Sequence, residues 1–248
     1  MKLFFSIILA TVIIFNSAAQ SLDSSVKYIW KNEATNITAS VKIYGLQQTN
    51  KSFCIFYLNS VDTVYNNISD SLFNAFVNIS MLNCPVIKIN FYNVADTVSG
   101  KKIKLYAEEF SKFILNDVQK KYPRIRTHNL IVSGVDYFAM VALSAAIDNP
   151  QKINKTALFF HDIENTALLG NVSVADAKKL KGKLYLYINS QNKEDKLADS
   201  LANDLALNST IVLYKFVDFG SLETSSIFKE AYNWLLADGN NYIIRNND

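Results

Sequence analysis

The chain has 248 residues, half of them hydrophobic and 19% charged, with a formal net charge of +3 at pH 7. That is ample for one packed core of ordinary domain size. It excludes disordered, collagen-like, coiled-coil and cysteine-rich scaffolds, and the charge is too small to argue for nucleic acid or an anionic membrane surface as partner. With only 7 Gly and 3 Pro, turns fall to Asn, Asp and Ser.

The first residues, MKLFFSIILATVIIFNSAAQ, read as a targeting segment. Lys2 precedes an apolar run from Leu3 to Phe15, and Ser17-Ala18-Ala19 gives a small-x-small cleavage site. The expectation is a signal peptide over 1–19, cleaved before Gln20, and a single domain over 20–248. An uncleaved anchor is the alternative. No cysteine follows the apolar run, so a lipid-modified start is not expected. No later segment reaches ~18 uninterrupted apolar residues, so no membrane span is expected in the mature chain. The exported protein would be periplasmic, cell-surface or extracellular. Its Asn-, Lys- and Ile-rich usage suggests a bacterial source with an AT-rich genome.

Residues 26–31 and 37–44 read as strands around an Asn-rich turn, and 53–58 as a short apolar strand. Ile68, Leu72, Phe76 and Ile79 have helical spacing over 68–82. PVIKINFY (85–92) is another strand. The clearest helix is YAEEFSKFILNDVQKKYP (106–123). Phe110, Phe113, Ile114 and Val118 share a face there, Glu108 and Glu109 occupy the first turn, Lys120 and Lys121 the last, and Pro123 stops it. Strand 129–133, helix 136–147 and strand 155–160 follow. A helix at 173–180 opens with Ser173 and Asp176 in capping-box spacing. Then come strand 184–188, helix 194–206, strand 210–217 and helix 223–236. Alternating strands and helices, with strands that are continuous apolar runs, predict a three-layer α/β domain with a mostly parallel central sheet of about eight strands.

Cys54 begins the run CIFYLN and Cys84 precedes PVIKINF. If the strands are parallel neighbours, both thiols lie at one end of the sheet. A disulfide would then be compatible with an oxidising compartment and stabilise by roughly 3 kcal/mol. Two buried free thiols are the other reading. Without neighbouring histidines they make no zinc site, and no cofactor motif (phosphate loop, GxGxxG, HExxH) is present.

A leading antiparallel pair followed by a parallel strand–helix series is the α/β-hydrolase plan. Within it, the segment from Tyr106 to Phe160, YAEEFSKFILNDVQKKYPRIRTHNLIVSGVDYFAMVALSAAIDNPQKINKTALFF, resembles the secreted esterase D-like family of esterases. The resemblance extends over roughly residues 36–236. In that family a strand ends in a Gly-x-Ser-x-Gly-Gly elbow, whose serine sits on a strained turn between small residues. Here Gly134 keeps the first small position, Asp136 stands where the serine would be, and Phe138 and Ala139 replace the two glycines. Because Phe138 is bulky, the expectation is a corner relaxed into an ordinary strand-to-helix turn, with Asp136 as helix N-cap.

The resemblance places the other members of the machinery too. The histidine position, in Asp-His-Gly-Ser, is Phe219 within Asp218-Phe219-Gly220-Ser221. The acid region after strand 184–188 offers Glu194 and Asp195. The oxyanion region, Leu-Asp-Gly in relatives, is Leu58-Asn59-Ser60. Phenylalanine cannot accept a proton, so serine activation is lost together with the serine. Two functions follow. One is an exported esterase-like homologue without the triad's Ser and His, serving as a non-catalytic binding or interaction protein for a small molecule or a protein partner. The other is a hydrolase acting on esters, epoxides or similar bonds through Asp136. Its base would be His161, which follows strand 155–160. His128 precedes the elbow strand, at the opposite end of the sheet. Ser133, the one serine beside the corner, falls inside the strand.

Overall fold

The computed structural model describes residues 26–45, 54–60, 84–92, 94, 100–123, 125, 129–160, 173–189, 200, 203, 211–217, 224–237 and 244–246. The proposed signal peptide and the helix at 68–82 lie outside these residues, as does all of the helix at 194–206 except positions 200 and 203. His161, Glu194, Asp195 and Phe219 lie outside them too.

Nine strands form one sheet. They are β1 (Val26–Asn32), β2 (Ile37–Tyr44), β3 (Cys54–Ser60), β4 (Val86–Tyr92), β5 (Leu130–Val135), β6 (Ile153–Phe160), β7 (Lys183–Asn189), β8 (Ile211–Val217) and β9 (Ile244–Asn246). The order is β1-β2-β4-β3-β5-β6-β7-β8-β9. β1 and β2 pair antiparallel with each other, and β2 pairs antiparallel with β4; every other pairing is parallel. The expected leading antiparallel pair and parallel series are both present, with β9 as one strand more than the sequence indicated. The first turn is built from asparagine: Asn32 Oδ1 accepts the Ala34 amide at 3.0 Å, and Asn36 takes a φ of +55°, which Asn tolerates better than most residues.

Central strands are buried on both faces because helices cover both. All seven residues of β3 and all six of β5 are buried. Side chains alternate along them. Cys54, Phe56 and Leu58 enter one core layer, Ile55 and Tyr57 the other. The first layer packs under α1 (Gly100–Glu109), a π-helical turn (Phe110–Ile114), α2 (Leu115–Lys121) and α3 (Tyr137–Asp148). The second packs under α5 (Thr224–Leu236), following α4 (Val174–Ala177) in the chain. Each fully buried Leu, Ile or Phe contributes about 1.5–3 kcal/mol of transfer free energy.

The long helical segment differs from its expected form in two ways. It starts at Gly100, so Glu108 and Glu109 lie at the end of α1 and not in a first turn. Phe113, expected on the buried face, is 46% exposed, while Phe110, Ile114 and Val118 are buried. The π turn is the cause. With more residues per turn, each residue advances less round the axis, so the residue three places after Phe110 stops short of the face that Phe110 and Ile114 keep. Ser173 caps a helix as expected, but α4 covers Val174–Ala177 and not 173–180. Ser173 Oγ accepts the Asp176 amide at 3.1 Å and donates to the Asp176 carboxylate at 2.7 Å.

α5 is fixed from two sides. Ser133 Oγ, fully buried in β5, donates to the Phe56 carbonyl (3.2 Å) and lies 2.5 Å from the Tyr232 hydroxyl. With its one proton committed to the carbonyl, the serine accepts from the tyrosine. At the far end Lys183 Nζ donates to the carbonyls of Trp234 (3.2 Å) and Ala237 (2.5 Å). A cation there satisfies groups that a helix end leaves open.

The proposed Cys54–Cys84 bridge is not formed: both are buried free thiols. The two segments do adjoin, through a 3.0 Å bond from the Ile55 amide to the Pro85 carbonyl. But Cys54 belongs to the layer under α3 and Cys84 to the layer under α5. Burial, with a smaller contribution from Cys84, pushes the Cys54 thiol well above its usual range.

Candidate functional site at the β5–α3 corner

The corner between β5 and α3 keeps the geometry of a nucleophile elbow. Asp136, directly between the two elements, has φ +50° and ψ −118°. This is neither the relaxed turn expected from the sequence nor the extended posture of a capping residue, and the Asp136 side chain makes no capping bond to α3. A non-glycine residue held there carries strain of roughly 1–3 kcal/mol, maintained by its surroundings.

Gly134 is what maintains it. A Cβ on Gly134 would lie 2.1 Å from the Phe138 carbonyl oxygen and 2.8 Å from the Ala139 nitrogen. Strand and helix therefore meet backbone to backbone, and only glycine fits. The corner is pinned on its other side as well. The Asp136 amide donates to Phe159 in β6 at 2.7 Å, and the Asp136 carbonyl accepts from Ala139 at 2.9 Å.

Phe138 does not obstruct the elbow. Its backbone occupies the tight position, while its ring packs into the layer under α1. There it stacks on Phe91 (5.0 Å between centroids, 9° between planes) and meets Tyr106 and Tyr137 edge-on at 5.8 Å and 5.2 Å. Phe91 also meets Tyr106 edge-on at 5.2 Å. Such pairs add about 0.5–1.5 kcal/mol each beyond the area they bury. This four-ring cluster at the base of the corner went unread in the sequence. Burial, helped by Tyr106, pushes the Tyr137 phenol up.

The acidic side chain at the apex is itself buried, Asp136 being 6% exposed. It stands at the N-terminus of a twelve-residue helix, whose dipole favours negative charge there. Asn59 and Ser60 arrive beside it at the carboxyl end of β3, where Leu58 is in register with Gly134. Both are buried. They continue the strand in register with β4 as far as Ser60–Phe91, so the chain stays extended where the oxyanion loop was expected to begin.

The structure thus brings Asp136, Asn59 and Ser60 to one sheet end. Ser133 lies below them, inside the β5 core, as its place in the strand implied. His161, Glu194, Asp195 and Phe219 follow β6, β7 and β8, whose described carboxyl ends are Phe160, Asn189 and Val217; their positions fall outside the described residues. Among the described residues no group of three or more His, Cys, Asp or Glu could hold a metal ion. No helix among them is long and apolar enough to cross a membrane.

No family model matches the sequence, and no curated protein matches it. Solved structures do match the fold. A siderophore hydrolase, EstB, from Aspergillus nidulans superposes with a TM-score of 0.61 at 11% identity, over 86% of this chain and 95% of that one. The esterase Pf2001 of Pyrococcus furiosus superposes with a TM-score of 0.59 at 10% identity, over 86% and 93%. An S-formylglutathione hydrolase from Agrobacterium tumefaciens gives 0.57 at 9% identity, over 85% and 94%. The strand order and the covering helices agree with these likenesses: the chain has the α/β-hydrolase fold.

Proposed function

We propose that this protein is an exported, esterase-like α/β-hydrolase homologue, a degenerate relative of the esterase D-like esterases. It uses the fold as a non-catalytic binding or interaction module for a small molecule or a protein partner. The observation that carries this reading is the occupant of the elbow. The nucleophile's posture is kept, yet it holds a buried carboxylate, and the family's histidine position is Phe219. A carboxylate attacking an ester carbonyl would form an anhydride, a poor route to hydrolysis, and Phe219 supplies no base.

The strain at Asp136 favours one second reading. An aspartate at the elbow can attack a saturated carbon, for example of an epoxide. The C–O bond breaks, the ring oxygen takes a proton from solvent water, and an alkyl ester of Asp136 remains. A second water hydrolyses it, restoring the carboxylate and returning the proton to solvent. His161 is the candidate base for that water. Short acyl esters and epoxides, assayed with wild type and Asp136→Asn, separate the two readings. The binding-module reading expects both proteins to stay at the uncatalysed rate. Turnover by wild type that disappears in Asp136→Asn replaces it with the second.

Export rests on the charged, apolar and small-residue order of residues 1–19. Expressed with its own N-terminus in a bacterium, the mature protein is expected to begin at Gln20 by intact mass. A chain that retains residues 1–19 in the membrane fraction would establish the anchor instead.

A further inference from the structure

A cavity of about 270 Å³ lies between α1, α3 and α4, and Asp136 is not among the residues that line it. Its floor is apolar: Ile103, Met140, Leu143 and Ile147 line it and are buried from bulk water. Its rim carries charges of both signs. Lys179 Nζ contacts the Asp176 carboxylate at 2.8 Å. Hydrogen bonds from Lys179 and Ser173 hold that carboxyl below its usual range, and Lys104 adds to the effect. Asp176 in turn raises the Lys179 ammonium, and Asp148 adds to that. Besides the pair Asp176–Lys179, Lys104 and Asp148 also line the cavity, Lys104 near enough to act on Asp176 and Asp148 on Lys179. Lys104 and Asp148 make no hydrogen bond or ion pair among the described residues.

We propose that this cavity binds a small zwitterion with an apolar side chain, of the size and chemistry of leucine. Its carboxylate meets Lys104, its ammonium meets Asp148, and its side chain rests on the Ile103–Met140–Leu143–Ile147 floor. A ligand with both charges answers both residues, whereas one with a single charge answers only one of them. The volume lies just under the range usual for drug-sized pockets, which fits a metabolite of this size. The site is independent of Asp136, so it stands or falls apart from any activity at the elbow.

The test is a titration of the full-length mature protein, followed by two-dimensional NMR, with L-leucine, isovalerate and isoamylamine as probes. Leucine is expected to saturate with a dissociation constant on the order of 1 mM, and each singly charged analogue to bind about 5-fold more weakly. Lys104 and Asp148 are exposed, so Lys104→Met and Asp148→Asn are expected to leave the fold intact. Each should weaken leucine about 5-fold and abolish the preference for leucine over the analogue that lacks the matching charge. Ser144→Trp, filling the cavity from its wall, should remove binding. No saturable shift at the lining residues would overturn the proposal. So would equal binding of all three probes, or an affinity unchanged in the two charge variants.

Discussion

Gly134 governs the corner more than Asp136 does. The positive φ at Asp136 follows from how closely β5 and α3 approach, and that approach is possible because residue 134 has no side chain. Gly134→Ala is therefore expected to destabilise by at least about 3 kcal/mol, because its methyl would press on the backbone carbonyl of Phe138, which cannot swing aside. Urea denaturation measures this; a loss below about 1 kcal/mol would mean that strand and helix separate easily. The sequence revealed the position of the corner but not its conformation. Phe138 looked like a misfit because the small position of an elbow was read as a limit on side-chain size. The structure places the limit on backbone approach, and the Phe138 ring leaves in another direction to stack on Phe91. Tertiary contact decided that direction, and no local pattern records it.

At the scale of elements, strands were the most legible feature. β3, β5 and β6 are short apolar runs that a doubly covered sheet requires, and they appear within a few residues of their expected bounds. Helix α1 was legible only in part. Its first turns, Gly100-Lys101-Lys102-Ile103-Lys104, carry one apolar residue, so the periodicity became visible only near Tyr106. β9 has three residues, too few for any period to show. The joint between α1 and the π turn holds a buried acid, Glu109, whose carboxylate accepts from the Asn32 side chain at 2.8 Å and so ties the helix to the β1–β2 turn. Burial raises the Glu109 carboxyl above its ordinary value of 4.5, and the Asn32 bond offsets only part of this. A carboxyl raised in the folded state binds its proton more tightly folded than unfolded. Its contribution to stability is thus greatest below pH ~4.5 and is lost as pH rises through the higher folded value. Glu109→Gln keeps an acceptor for Asn32 and removes the titration. Its urea midpoint is expected to match wild type near pH 4 and exceed it near pH 7.5. A wild type that gains on the variant as pH rises would contradict this.

For the whole molecule, the parallel series and the leading antiparallel pair could be read from the order of elements, whereas the packing of faces could not. The two cysteines illustrate the difference. Their positions at the starts of neighbouring strand segments suggested a bridge, but Cys54 and Cys84 enter different core layers, and spacing in the sequence does not record which layer a residue meets. The protein purified without reductant is expected to show two free thiols by Ellman titration in guanidinium and almost none on the same timescale when native. Its melting temperature should be unchanged by dithiothreitol. A single slow-migrating species that speeds up in non-reducing electrophoresis, with no thiol in guanidinium, would establish the bridge. The fold would then have to bring the two layers together at the start of β3 and β4.

The close contact of Gly134 with the Phe138 backbone has one further consequence, for inheritance. A corner whose shape is set by its neighbours does not depend on which side chain stands at its apex. Placing a hydroxyl in that posture takes a single substitution at position 136. Building the socket itself, were it absent, would take remaking the seam between a strand and a helix. Lineages that exchange the chemistry of such a fold therefore travel a short path at this position, in either direction.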